Sequence, residues 1–481
     1  MRILSIVVAG LLVTGGCTPD TSKSDPDAAA SVENVIMVSI DSLRADHLGP
    51  YGYKPPTSPT LDALAAQGLV FDRAYSTTSW TLPSHTALLT GLDDYTHGVL
   101  DDGTKLPETI ETLAETLRAA GIRTTGFFSG PYLHPSFGVS QGFERYENCT
   151  TSVQNEASDT PKPRQFWASH RDITNPILVR RIEGWLAEGP KLGRNFIFIH
   201  MWDVHYDYVA PQGYVELFDP GYTGTFTGEG FAKNGAIRPG MPARDLQHLI
   251  ALYDAEIRYT DDTLGKILSM LEDAGVSDRT AVIVLADHGE EFFEHRKKGH
   301  RNTLFEEVLR IPLIISVKGR RSAVPRVASV VSIIDVYPTI CDLFEVSCDN
   351  DTPANSLMDY FDGKETEGFR NDALATLRFG KFALNLSALI RDHGKVIRWN
   401  NTGVTKYYSA SDLATERDGL NVQAAGLSGY PDAVRSTVEQ LKRREADARD
   451  RGHRLYEDVS PESPVLDDTT QEHLRSLGYT D

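Results

Sequence analysis

Cysteine is scarce in this chain of 481 residues, with only Cys17, Cys149, Cys341 and Cys348 present. Four at these spacings build neither a zinc ribbon nor a disulfide scaffold. Long apolar runs are also missing. The run from Ile3 to Val13 falls well short of the roughly 20 residues that cross a bilayer. Basic residues are outnumbered, 48 against 67 acidic ones, for a net charge of −19. That balance argues against nucleic acid or anionic lipid as a partner through bulk electrostatics. It leaves small anions open, because screening acts over about 8 Å and local groups set the field inside a cleft. There is no internal repeat, which excludes solenoids and propellers. What is there is the composition of an ordinary globular protein, long enough for one large α/β domain and a smaller one.

The first residues read as an export signal: Arg2, the apolar run, then Thr14-Gly15-Gly16 before Cys17. Small residues before a cysteine resemble a bacterial lipoprotein processing site. The expectation is a signal peptide over residues 1–16, a lipidated Cys17, and a flexible tether to residue 32 on the periplasmic or cell-surface side of a membrane. Two or three acyl chains give a stable tether, whereas one is marginal. An uncleaved short anchor is the competing reading. Export frames the other three cysteines as one disulfide and one leftover thiol. Cys341 and Cys348 are the nearer pair in sequence, unless a helix between them holds the sulfurs apart.

Asn34 to Ile40 is an unbroken apolar run ending at Asp41, the pattern of a buried parallel strand with a carboxylate at its carboxyl end. Asn195 to Ile199 leads likewise into His200-Met201-Trp202-Asp203-Val204-His205, and Ala281 to Ala286 into Asp287-His288-Gly289-Glu290. Helical periodicity is expected over Pro107 to Ala120 and over Ala243 to Ala274. Alternating strands and helices predict an α/β domain over 33–345, a mostly parallel sheet sandwiched by helices. Ligands of such sheets bind beyond the strands' carboxyl ends, where the polar residues just named fall. Past residue 345 shorter alternating segments predict a small C-terminal α+β subdomain, 346–481, with an antiparallel sheet. A charged helix follows from Pro431 to Arg451, its charge run read as a solvated face.

The segment Ser79-Trp80-Thr81-Leu82-Pro83-Ser84-His85-Thr86-Ala87-Leu88-Leu89-Thr90-Gly91 sets a hydroxyl at the mouth of an expected helix. In isolation it is equally a capped helix start with proline in the first turn. Asp41, Asp287, His288 and the Thr81 oxygen together form an oxygen-rich set with one imidazole, suited to a divalent metal that activates a hydroxyl and neutralises a tetrahedral anion.

These segments resemble the sulfatase family of the alkaline phosphatase superfamily. The Thr81 segment matches its nucleophile pattern, with Thr81 and His85 at the Cys/Ser and Arg positions. Val38 to Gly49 is similar to its first metal-binding strand end, and Asp287 to Glu290, Gly299-His300 and Phe305 to Leu313 to its second metal-binding segment. Tyr253 to Tyr259 and His473 to Tyr479 match further motifs. The resemblance implies an alkaline phosphatase-like fold and a metal-dependent ester hydrolase acting on a small anionic ester. Sulfatases oxidise the nucleophile's Cβ to formylglycine, but the Cβ of Thr81 bears a methyl group and cannot become an aldehyde. Thr81 is therefore expected to act as an alcohol on phosphate or phosphonate esters. Sulfate ester hydrolysis, phosphoglycerol or phosphoethanolamine transfer, and an inactive binding protein are the alternatives. Catalytic roles fall to Thr81, His85, His205 and His300, and metal ligation to Asp41, Thr81, Asp287 and His288. His85 either orients Thr81, binds the anion or simply packs. Ser42 stands where calcium enzymes usually carry a second aspartate, leaving calcium, manganese, zinc and magnesium open. One metal site is expected; a second held by Asp203, His205 and His300 is the variant. The family's Gly-Lys-Trp-His contact motif is replaced by Gly126 to Pro131. Specificity is expected in segments 148–175 and 206–244 and in the C-terminal region.

Overall fold

Seven consecutive buried residues make Asn34–Ile40 the central strand, β1, of the large sheet. The computed structural model describes residues 32–150 and 174–476, apart from 190–192, 277–278, 349–350, 365, 381–382, 418, 458 and 460–461. The export signal, Cys17, most of segment 148–175 and Leu477 to Tyr479 of the closing motif lie outside the described residues. After β1 come β2 (Leu69–Tyr75), β3 (Arg123–Phe128), β4 (Arg145–Asn148), β5 (Asn195–Met201) and β6 (Thr280–Ala286). A hairpin of β7 (Glu291–Phe292) and β8 (Lys298–Gly299) precedes β9 (Arg310–Ile311), β10 (Leu313–Val317) and β11 (Arg326–Ser332). The large sheet runs in the order β11-β2-β10-β6-β1-β5-β3-β4, with β9 added on β2. Pairing is parallel except along β10 and β9. This is the expected helix-covered, mostly parallel sheet.

Register decides what the sheet presents. Ile40 pairs with Met201 of β5 and with Ala286 of β6, so the strands on either side of β1 end at one level. Asp41 and Asp287 follow directly, which sets two carboxyls side by side at the sheet's carboxyl edge. Ser39 pairs with His200 and Leu285, and the two-residue period puts Ser39 and Asp41 on the same face.

Helix Ala243–Asp273 matches its expected span closely. The one expected over Pro107 to Ala120 is shorter, Leu113–Ala119: Thr112 and Glu115 form a capping box there, and Pro107 to Ile110 is a separate turn. A cap of this kind contributes about 1 kcal/mol, enough to decide where a short helix begins. Cys341 and Cys348 are disulfide-bonded, because helix Val336–Leu343 stops between them; Cys149 is buried and free.

A second, antiparallel sheet follows: β12 (Asp372–Phe379), β13 (Leu384–Arg391), β14 (Gly394–Trp399), β15 (Val404–Ser409) and β16 (Leu420–Asn421). The segments on either side of residue 345 share one compact unit. Helix Asp432–Leu455 contributes to that union, and its charge run is not simply a solvated face as expected. Arg444 and Glu445 are buried: Arg444 and Arg451 approach Asp93 at 3.4 and 3.3 Å, Arg444 reaches Asp372 at 3.2 Å, and Arg398 pairs with Glu445. Helical spacing cannot distinguish such a face from a wet one, since its partners lie more than 300 residues away in Asp93.

Removing Asp93 leaves the cations of Arg444 and Arg451 short of a buried partner. Asp93→Ala should therefore lower stability by about 3–5 kcal/mol, read from urea unfolding; a loss below about 1 kcal/mol would show the cluster to be hydrated rather than buried.

Candidate active site

Thr81 opens helix Thr81–Thr90, all ten residues of which are buried. The cap position is Trp80, which makes no side-chain cap, so the Thr81 hydroxyl is not engaged as a helix cap. It donates instead to Asp41 Oδ2 at 3.3 Å and lies 3.4 Å from His288 Nε2. The helix N-terminus adds partial positive charge where an anion would sit. At the far end Gly91 closes the helix at φ 68°, a left-handed conformation that the adjacent Tyr337 leaves no room to build with a side chain. Ser84 donates to the Asp287 carbonyl at 2.7 Å, fastening the helix to the end of β6.

The two carboxyls are held differently. Asp287 Oδ1 accepts the backbone N–H groups of Ser42, at 3.2 Å, and His288, at 2.9 Å, while Oδ2 is buried without a hydrogen-bond partner. Ser42 reaches this position with φ 56°, and its hydroxyl donates to Asp41 Oδ1 at 2.8 Å. Burial pushes both carboxyls up, but the imidazoles of His200, His205 and His288 favour the anion at Asp41 and hold it well below the usual range. Burial, reinforced by the charge on Asp41, raises Asp287 well above that range.

Four imidazoles share one arrangement. His85, His200, His205 and His288 each direct Nδ1 at a backbone carbonyl, of Thr81, Ser129, Tyr206 and Gly289, at 2.7–2.9 Å. In the neutral ring, donation from Nδ1 leaves the lone pair on Nε2. Burial drives His85 down to about 3, His205 to about 4, and lowers His288 as well. His85 Nε2 accepts the Ser39 hydroxyl at 2.9 Å, so both its ring nitrogens are engaged by the protein. His85 therefore orients the first turn through the Thr81 carbonyl, and no ring N–H remains for an anion.

His300, the residue after β8, lies edge-on to His205 and tilted against His288, at centroid distances of 4.9 and 4.4 Å. Its Nδ1 donates to Glu290 Oε1 at 3.1 Å, and Tyr208 donates to Glu290 Oε2 at 3.0 Å. Burial is the main cause that takes His300 well below its ordinary value and Glu290 well above its own. Trp202 lies flat on His205 at 4.0 Å, in a space that only a glycine at 130 leaves open. Asp203 does not join these histidines as a ligand. It accepts the Thr174 hydroxyl at 2.7 Å and the Asn175 N–H at 2.9 Å, at the start of helix Asn175–Ala187. The variant with a second metal held by Asp203, His205 and His300 is not assembled among the described residues.

A cation fits the first set. The ligand atoms of Asp41, Asp287 and His288 lie within 4.8 Å of one another, and the buried, unpartnered Asp287 oxygen needs positive charge beside it. The Sulfatase family model matches residues 33–346. The chain belongs to the sulfatase family. It is 22% identical over 388 residues to the ulvan-active sulfatase of Formosa agariphila, covering 77% of this chain and 72% of that one. The phosphonate monoester hydrolase of Agrobacterium radiobacter superposes with a TM-score of 0.70 at 22% identity, over 86% of this chain and 96% of that one. The corresponding hydrolase of Silicibacter pomeroyi gives 0.67 at 20% identity, over 87% and 96%. The chain is accordingly a hydrolase of ester bonds in the alkaline phosphatase superfamily.

Within this sulfatase-family site, Asp41, Thr81, Asp287 and His288 meet as expected, while His205 and His300 form an adjoining wall with each other. Sequence reading assigned no role to His200, Glu290, Ser39 or Arg301. Glu290 sits three residues after Asp287 and its signal was present; Arg301 carries no motif, yet its guanidinium lies 4.2 Å from the Trp80 ring centroid and donates to the Tyr132 hydroxyl at 2.8 Å.

Asp41→Ala and Asp287→Asn should each abolish bound divalent metal and activity together, by elemental analysis and turnover. Because burial and the charge on Asp41 favour the protonated form of Asp287 while a cation requires its anion, metal affinity should rise with pH. Full metal occupancy in either variant would remove that residue from the ligand set.

Proposed function

We propose that this sulfatase-family hydrolase cleaves phosphate or phosphonate esters through a phosphoryl ester on Thr81. The observation that carries this reading is a threonine hydroxyl left uncapped at a helix N-terminus and aimed between Asp41 and His288. A divalent ion held by Asp41, Asp287, His288 and Thr81 Oγ1 would lower the hydroxyl's pKa and neutralise the anion's non-bridging oxygens. The Thr81 hydroxyl releases its proton to water as its oxygen attacks phosphorus, the bond to the ester oxygen breaks, and the leaving alkoxide takes a proton. His205 and His300 adjoin the site with depressed basicity. An anionic ester beside them stabilises the imidazolium, which then delivers its proton to the leaving oxygen. Water attacks phosphorus in the second half-reaction and frees Thr81.

Sulfate ester hydrolysis is the second reading, supported by the names of curated relatives such as the ulvan-active sulfatase. Formylglycine expels sulfate by collapse of its hydrate, a route closed to a threonine ester. Matched nitrophenyl phosphate, phosphodiester, phosphonate and sulfate should therefore show the highest kcat/KM on a phosphorus ester, with a phosphate adduct on Thr81 by mass spectrometry of trapped enzyme. A sulfate kcat/KM equal to or above the best phosphorus ester would establish the second reading. On poorer leaving groups, His205→Ala and His300→Ala should lose more, about 10²–10⁴-fold, than on nitrophenyl esters; equal losses would mean that they bind the anion instead.

Lipid on Cys17, tethering the enzyme to the outer face of a membrane, completes the proposal. Cys17→Ser should move the protein from the membrane fraction to the soluble one. Retention in washed membranes would mean an uncleaved anchor.

A further inference from the structure

His200 has no part in the hydrolysis proposed above, yet it stands at the end of β5 with 0% of its surface exposed. Its Nε2 is a buried polar atom without a hydrogen-bond partner. Nδ1 is committed to the Ser129 carbonyl at 2.9 Å, so in the neutral ring Nε2 carries the lone pair. That lone pair points at another electron-rich atom, Asp41 Oδ2, 3.5 Å away. His200, His85 and Asp287 also bring one ligand atom each within 4.8 Å of one another, and Asp287 belongs to the Asp41 and His288 set as well. Two unpartnered buried atoms, His200 Nε2 and Asp287 Oδ2, thus face the same few ångströms of space.

We infer that His200 Nε2 is a direct ligand of the catalytic cation, alongside Asp41, Asp287, His288 and Thr81. With both imidazoles neutral, lone pairs from two carboxylates and two imidazoles converge, and a shared cation takes the place that a proton between His200 and Asp41 would otherwise fill. Neighbouring pairs stand at distances that one ion allows, and since His200 clusters within 4.8 Å with His85 and Asp287 while Asp41, Asp287 and His288 form their own cluster, an ion that takes all four draws the two clusters together. Asp41 to His200 is 3.5 Å, Asp287 Oδ2 to His288 is 3.4 Å, and Thr81 lies 3.3 Å from Asp41 and 3.4 Å from His288. Neighbouring ligands with bonds of about 2.1 Å to a common ion stand about 3.0–3.5 Å apart. His288 to Asp41 Oδ1, at 3.8 Å, closes slightly when an ion draws them in.

The second imidazole changes what the site selects. Two nitrogens with three oxygens suit zinc, manganese, cobalt or iron, and disfavour calcium and magnesium, which take oxygen sets. Ser129 lies in the segment that replaces the family's lysine-containing motif, and its carbonyl sets the tautomer of His200.

The inference rests on the proposed function only for the presence of a cation, and metal binding is read without substrate, so failure of the phosphorus preference leaves it intact. Full-length protein stripped by chelator is titrated with Zn²⁺ against a chromophoric chelator, and with Co²⁺ while its visible spectrum is followed. His200→Ala should weaken Zn²⁺ by more than about 100-fold, beyond the 10–100-fold cost of losing an outer partner, and should alter the Co²⁺ bands. His200→Gln, which keeps the volume and offers an amide oxygen, should fold as wild type and shift preference from Zn²⁺ toward Mn²⁺. Zn²⁺ affinity within a few-fold of wild type in a folded His200→Gln protein, with unchanged Co²⁺ bands, would overturn the assignment. So would a wild-type protein that binds Ca²⁺ more tightly than Zn²⁺.

Discussion

Two carboxyls buried side by side, at the ends of adjacent strands, are the constraint on which this structure turns. Asp41 and Asp287 stand at one level because β1 and β6 run in register to their last residues. Neither is exposed to water, and like charges this close oppose each other strongly in a medium of low dielectric. The surroundings answer with backbone N–H groups, a serine hydroxyl, a helix N-terminus and imidazoles, all aimed at those four oxygens. Part of the opposition is left for a cation to relieve.

The placement of Thr81 follows from the same constraint. Helix Thr81–Thr90 is anchored over the strand ends by Ser84 on the Asp287 carbonyl and by Ser39 on His85, which in turn holds the Thr81 carbonyl. The hydroxyl is thereby fixed before any substrate arrives, and fixed positions are the main resource of an enzyme that stabilises developing charge. Around it, backbone carbonyls choose the tautomer of four histidines.

The wall opposite is assembled from distant chain. Lys298 donates to the carbonyls of Phe231, Asn234 and Ile237 at 2.6, 3.1 and 2.9 Å, joining the hairpin that leads to His300 with the segment after His205. Asp207 receives the N–H of Phe231 at 2.8 Å from the other side. The segment 206–244, where sequence reading placed specificity, is thus fastened to the histidine wall of the site. The C-terminal helix is fastened to the same unit by buried ion pairs that its amphipathic pattern did not disclose.

Local signals were sufficient for the strand ends, the helix after Trp80, the long helix before β6 and the antiparallel sheet, because each depends on periodicity and punctuation within a dozen or so residues. They also sufficed for Asp41, Thr81, Asp287 and His288, whose residue types and positions after apolar runs are local facts. Asp203 and His200 show where that ends. Both lie in one polar stretch after an apolar run, three residues apart, and nothing in the sequence says which faces the metal set and which serves a helix. Strand register turned His200 beside Ser39 and Asp41, and the start of helix Asn175–Ala187 claimed Asp203. The sequence by itself determined which chemical groups the site would contain. Only the tertiary structure decided which of them meet, because a hydrogen bond or a shared ion depends on positions within a few tenths of an ångström, set by packing among residues hundreds of positions apart.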